Sequence, residues 1–189
     1  MRRESGIECG EPAVAARPVA FRVVDLLPFE QYAASLNRKR TSAGVLFRDG
    51  VGRVLLVETT YKRAWEIPGG SVDADEAPWR TAVREVAEEI HLDRPLGRLL
   101  LIDYVPTDGP MPEGLAFIFD GGLITEEEVA GIEPTDPEIR SVGLYTPGAA
   151  RDLVKPILAR RIEAALDAVT TGGLVLCESG HRVTVQGRR

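Results

Sequence analysis

Three glutamates, Glu85, Glu88 and Glu89, stand at positions i, i+3 and i+4 of the helix-periodic segment VREVAEEI (83–90). That spacing puts all three carboxylates on one helical face, where each close pair of like charges costs about 0.2–0.5 kcal/mol. A divalent cation offsets such repulsion, and acceptor-only oxygens at this density suit Mg²⁺ or Mn²⁺. A solvated acidic face is the plainer alternative. Two neighbours favour a built site: the Pro68-Gly69-Gly70 loop ahead of the helix, and Arg84 directly before Glu85. Glu76 lies just ahead of the helix, where the dipole also favours an acid.

Residues 70–92, GSVDADEAPWRTAVREVAEEIHL, resemble the Nudix box, G-x5-E-x7-R-E-U-x-E-E-x-G-U, with U a bulky aliphatic residue. Gly70, Glu76, Arg84, Glu85, Val86, Glu88, Glu89 and Leu92 fit at the required spacing. His91 replaces the second glycine. That position closes the helix, where positive φ is common, and His tolerates positive φ better than most residues.

The resemblance implies a Nudix-type α/β/α sandwich with a mixed central sheet, and a metal-dependent pyrophosphohydrolase. Glu85, Glu88, Glu89 and the Gly69 carbonyl would bind Mg²⁺, with Mn²⁺ the alternative, and Arg84 would orient a ligand carboxylate. Water would attack one phosphorus of a diphosphate. The general base ranks as Glu88 or Glu89 first, then Glu133, then Glu138. The substrate class is a small nucleotide: a nucleoside diphosphate linked to another moiety, of ADP-ribose or nucleotide-sugar type, or a nucleoside triphosphate. A non-catalytic nucleotide-sensing module is the alternative, although no box glutamate is lost. An isoprenoid diphosphate isomerase is a weaker one, since Cys9 and Cys177 lie outside the expected catalytic segment.

Substrate contacts are expected from Lys62 and Arg63, just before Trp65, and from Tyr104 and Asp120 near strand ends. Phe117 and Phe119, alternating with Ile118, read as core.

These side chains need a scaffold. Residues 41–49 and 53–60 alternate as a hairpin around a Gly-containing turn. Trp65-Glu66-Ile67 reads as a short strand running into the glycines. Residues 77–90 read as the acidic helix, with Val83, Val86, Ala87 and Ile90 as its apolar stripe. Strands are expected over 97–105, 114–122 and 138–145, and a short acidic helix over 124–132. Thr146-Pro147 starts a further helix, which Pro156 splits and Gly172-Gly173 ends. The layout is a flexible leader (1–17), an N-terminal strand and short helix (18–40), the hydrolase domain with its C-terminal helix (41–170), and a terminal hairpin and tail (171–189). Catalytic residues are expected within 41–145. The hairpin, with one half-apolar face, is expected to pack on the domain or to join a homodimer contact.

The 189 residues favour one domain with appendages. A net charge of −6 argues against a duplex nucleic-acid partner. No apolar run reaches the roughly 20 residues that span a bilayer. The two cysteines form no disulfide or zinc pattern, and a reduced, cytoplasmic setting is expected.

Overall fold

The computed structural model describes residues 26–184. The expected leader, residues 18–25 of the N-terminal strand and the last five residues lie outside that range. The chain divides into two units, Met1–Asn37 and Arg38–Arg189. In the first, helix α1 (Phe29–Ser35) follows Pro28, and the Ser35 hydroxyl donates to the Tyr32 carbonyl at 2.7 Å.

The second unit is built on one sheet. Its strands are β1 (Arg40–Arg48), β2 (Val54–Thr59), β3 (Gly69–Ser71), β4 (Leu99–Val105), β5 (Gly114–Leu123), β6 (Ile139–Tyr145), β7 (Val175–Glu178) and β8 (His181–Arg182). The order is β6-β2-β1-β5-β4-β7-β8, with β3 against the start of β1. β1 runs parallel to β5, and β4 parallel to β7; the other pairs are antiparallel. The mixed sheet thus matches the expected fold class. Trp65 and Glu66 form isolated bridges, and the strand in this region is instead β3.

Alternation along the strands builds two cores. Leu46, Val54, Leu56 and Ile118 face α4 (Pro147–Leu153) and α5 (Pro156–Thr171), meeting Val154, Leu158, Ile162 and Ala165. Val45, Phe47, Leu55 and Val57 face the acidic helix α2 (Pro78–Ile90), meeting Ala82, Val86 and Ile90. Each fully buried Leu or Ile contributes about 1.5–3 kcal/mol. The short helix α3 (Glu126–Ala130) starts at a capping box between Thr125 and Glu128. Thr146 caps α4, and Pro156 opens α5 as a separate helix because proline has no N–H to continue the first. No helix among the described residues is long and apolar enough to cross a membrane.

One detail of α2 departs from the sequence reading. Val83 and Ala87 are exposed, and the buried stripe is Ala82, Val86 and Ile90 together with Glu89. Helical period alone permits either stripe; rotating to bury Ala82 also turns Glu89 inward beneath β3.

Candidate active site

The Pro-Gly-Gly segment folds onto β1 as β3, with Gly44 opposite Gly69 and Ala43 opposite Gly70. Gly69 adopts φ of 145°, and a Cβ there would meet the Ala43 carbonyl oxygen at 2.3 Å. A Cβ on Gly70 would meet a Glu85 carboxylate oxygen, also at 2.3 Å. Both glycines are therefore required by close approach: one to the neighbouring strand, the other to a carboxylate of α2.

Glu89 is 9% exposed and accepts the Gly69 N–H at 2.8 Å. Burial pushes its carboxyl up to about 8, and the charges of Glu85, Asp136 and Glu138 push the same way. Burial also raises Glu85, against the attraction of Arg84. No Lys or Arg among the described residues pairs with Glu89, so a buried acid is left without a neutralising charge.

Arg84 is the hub beneath this pair. Its Nε and Nη2 donate to Glu76 at 3.1 Å each, and its Nη1 lies 2.9 Å from both Glu85 and Glu88. The Thr81 hydroxyl adds a 2.5 Å bond to Glu76. Hydrogen bonds from Arg84 and Thr81 hold Glu76 down to about 2, and the carboxylates of Glu76, Glu88 and Glu85 raise Arg84. Glu76 and Arg84 thus fix each other, and Arg84 passes that order to Glu85. His91 ends α2 in the left-handed region at φ 53°, with Nε2 2.6 Å from the Thr135 hydroxyl.

Glu85, Glu89, Gly69 and Gly70 line a cavity of about 650 Å³, a size suited to a small-molecule ligand. Lys62 and Glu138 also line it, and Lys62 pairs with Glu66 at 2.7 Å. Phe117 reaches the cavity, whereas Phe119 is in the core. The remaining candidates lie apart from it. Glu88 is exposed on Arg84, and Arg63 is exposed on its turn. Glu133 borders a smaller hollow of about 370 Å³ beside His91. Tyr104 donates to Glu113 at 2.6 Å, and Asp120 pairs with Arg48 at 2.6 Å; neither lines the cavity. Strand-end position suggested those two, but strong local partners hold both elsewhere.

Arg40, Lys155 and Arg161, which also line the cavity, were missed by sequence reasoning. Lys155 and Arg161 come from beyond residue 145, the expected limit of the site, because α5 packs across the sheet and brings its start to the cavity. The adjacent arginines 160 and 161 on an amphipathic helix were the one available hint. Among the described residues, no three acidic, His or Cys side chains stand grouped as a ready-made metal cage. Arg84 draws Glu85 and Glu88 to itself, and Glu89 turns to Gly69.

The family model described as NUDIX domain matches residues 38–165. A MutT-like protein of Streptomyces ambofaciens is 30% identical over 125 residues, which is 66% of this chain and 75% of that protein. Human diphosphoinositol polyphosphate phosphohydrolase 3-alpha is 42% identical over 64 residues, 33% of this chain; that match spans only 39% of the human protein. Among solved structures, a NUDIX hydrolase from Nitrosomonas europaea shares the fold with a TM-score of 0.60 at 16% identity, over 76% of this chain and 80% of that one. The NUDIX domain of Shewanella oneidensis NrtR, solved with ADP ribose, gives 0.59 at 15% identity, over 76% and 99%. With the match covering most of the chain and two glutamates of its box, Glu85 and Glu89, lining one cavity, this protein belongs to the NUDIX family and is a Nudix hydrolase.

Proposed function

We propose that the chain is a divalent-cation-dependent pyrophosphohydrolase that cleaves the diphosphate bond of a nucleoside diphosphate joined to a second group, with nucleoside triphosphates the neighbouring class. The observation that carries this is a single cavity holding Glu85, Glu89 and Gly69 together with Lys62 and Glu138. Relatives and structural neighbours support the bond type: by their names they act on or bind a diphosphoinositol polyphosphate, ADP ribose and UDP-X. What those ligands share is a phosphate–phosphate anhydride.

The residues fit a hard cation. Glu89 is a buried acid with no cationic partner among the described residues, and Glu85 is half-buried beside it. Both offer carboxylate oxygens, the Gly69 carbonyl adds a third hard donor, and Mg²⁺ or Mn²⁺ suits that set. Glu88 is the adjacent carboxylate, shared through Arg84 with Glu85. A divalent cation bound there would supply acidification of water and neutralisation of charge on the departing phosphate.

The chain's own groups do the rest. Arg84, braced on Glu76, holds the Glu85 carboxylate in place. Lys62 places an ammonium at the cavity wall for a phosphate oxygen. Glu138, on the loop before β6, accepts the proton of the attacking water; it lines the cavity, whereas Glu133 does not. Cys177 is buried away from the cavity, and no thiol among the described residues lines it, so the isomerase alternative gains no support.

The test is a panel of ADP-ribose, nucleotide sugars and nucleoside triphosphates with Mg²⁺, reading nucleoside monophosphate, phosphate and diphosphate. Glu138→Gln is expected to lower kcat by about 10²–10⁴-fold on the best substrate without weakening cation binding. No hydrolysis across the panel, or full activity in that variant, refutes the corresponding part.

A further inference from the structure

Arg161 occupies the cavity from the opposite side of the sheet to the glutamates, since α5 and α2 pack on opposite faces. Its Nε donates to Asp103 at 2.6 Å, and Asp103, on β4, is fully buried. The same carboxylate accepts the N–H of Gly180, at the turn between β7 and β8, with 2.9 and 3.0 Å to its two oxygens. A sealed carboxylate thus ties together a core strand, the terminal hairpin and one edge of a guanidinium. Among the described residues no acceptor meets the Nη groups of Arg161, and no buried side-chain nitrogen lacks a partner. The Nη edge is therefore open to the cavity.

The hairpin does not need Arg161 to stay in place. Arg160, its neighbour, clamps the Ser179 carbonyl with Nε and Nη2 at 3.2 and 2.9 Å, and Arg160 does not line the cavity. One arginine holds the hairpin, and the other is aimed by it. A guanidinium fixed through Nε presents two parallel N–H groups, which match two phosphate oxygens. Lys155 and Arg40 also line the cavity and add positive charge.

We propose that Arg161 binds a phosphate group of the substrate, and that Asp103 and the β7–β8 turn position it. The ligand class, a phosphate ester or anhydride, rests on the hydrolase reading above. The terminal hairpin is then part of the binding machinery, although it contributes no residue that touches the ligand.

Calorimetric titration of α,β-methylene-ADP in the presence of Mg²⁺ tests this without turnover. Arg161→Lys keeps a cation on Asp103 but loses the fork. The double variant Asp103→Asn with Arg161→Met leaves no unpaired buried charge should a single substitution unfold the protein. Both are expected to raise Kd, the double variant at least about tenfold, as loss of a charged hydrogen bond requires. Mg²⁺ affinity is expected to stay unchanged, and Arg160→Ala, which loosens the hairpin that aims Arg161 but leaves the guanidinium fork itself in place, is expected to raise Kd clearly less than the double variant does. In kinetics the loss should fall on KM more than on kcat. A folded double variant that binds like the parent overturns the assignment. So does an equal loss in Arg160→Ala, which would make the effect one of hairpin anchoring, and so does a parent protein that fails to bind the nucleotide. A parent that binds it yet hydrolyses no diphosphate refutes the hydrolase reading and leaves Arg161 as assigned.

Discussion

Glu89 pairs burial with a single backbone donor, and this sets its response to pH. Its folded pKa of about 8 lies above the ordinary 4.5. The stability linked to its protonated form is complete below about 4.5 and is lost as pH rises through 8. Glu85, also raised, acts in the same sense, whereas Glu76, held near 2, weakens the fold only as pH falls below 4.5. Glu89→Gln should therefore raise the Tm of the chelated protein at pH 8, have little effect at pH 5, and lower turnover at least about a hundredfold. Melting curves at the two pH values, with steady-state kinetics, check both halves. A destabilised variant at pH 8 would show that the carboxylate is held by more than Gly69. At this scale the sequence was informative: spacing singled out Glu85, Glu88, Glu89 and Arg84. It could not tell Glu89, which turns inward, from Glu88, which stays in solvent, because i+3 and i+4 neighbours share a face until packing fixes the helix's rotation.

Element by element, the site depends on how tightly β3 lies between β1 and α2. Gly70→Ala puts a methyl group where the Glu85 carboxylate sits. The Glu85 side chain can swing away, so stability should fall by only about 1 kcal/mol, the middle of the range for point changes. Cation affinity should drop about 10–100-fold, as when a ligand loses its orientation. Titration with Mn²⁺ followed by its paramagnetic signal would show this, and unchanged affinity would mean that Glu85 does not bind the cation. Most elements were legible: the two proline starts of α4 and α5, the terminal hairpin and the β1–β2 alternation all have local causes. β3 was not, because three residues rich in glycine carry no periodicity and pair only through tertiary contact. The expected Val83 stripe failed for a related reason: a helix with alanines and valines on adjacent faces has more than one apolar side to offer.

For the whole molecule, the cation should act as a stabilising ligand whose effect depends on pH. Protons compete for Glu89 and Glu85, so Mg²⁺ should raise Tm more at pH 8 than at pH 5.5, with EDTA abolishing both the shift and the turnover. Differential scanning at matched ionic strength decides this; an equal shift at both pH values would point to a cation site away from these glutamates. What no local pattern could reveal was the reach of α5 across the sheet to the cavity, since that depends on strand order rather than on any segment. The parallel pairing of β1 with β5 carries a further consequence, for how the chain comes off the ribosome. β1, which lines both cores, is made early, yet its long partner begins only at Gly114. Until then an apolar strand has an open edge, and the loop between the partners must close before their contacts reward it. The nascent chain must keep β1 from pairing with other chains over some seventy residues of synthesis, roughly 4–15 s at ordinary elongation rates.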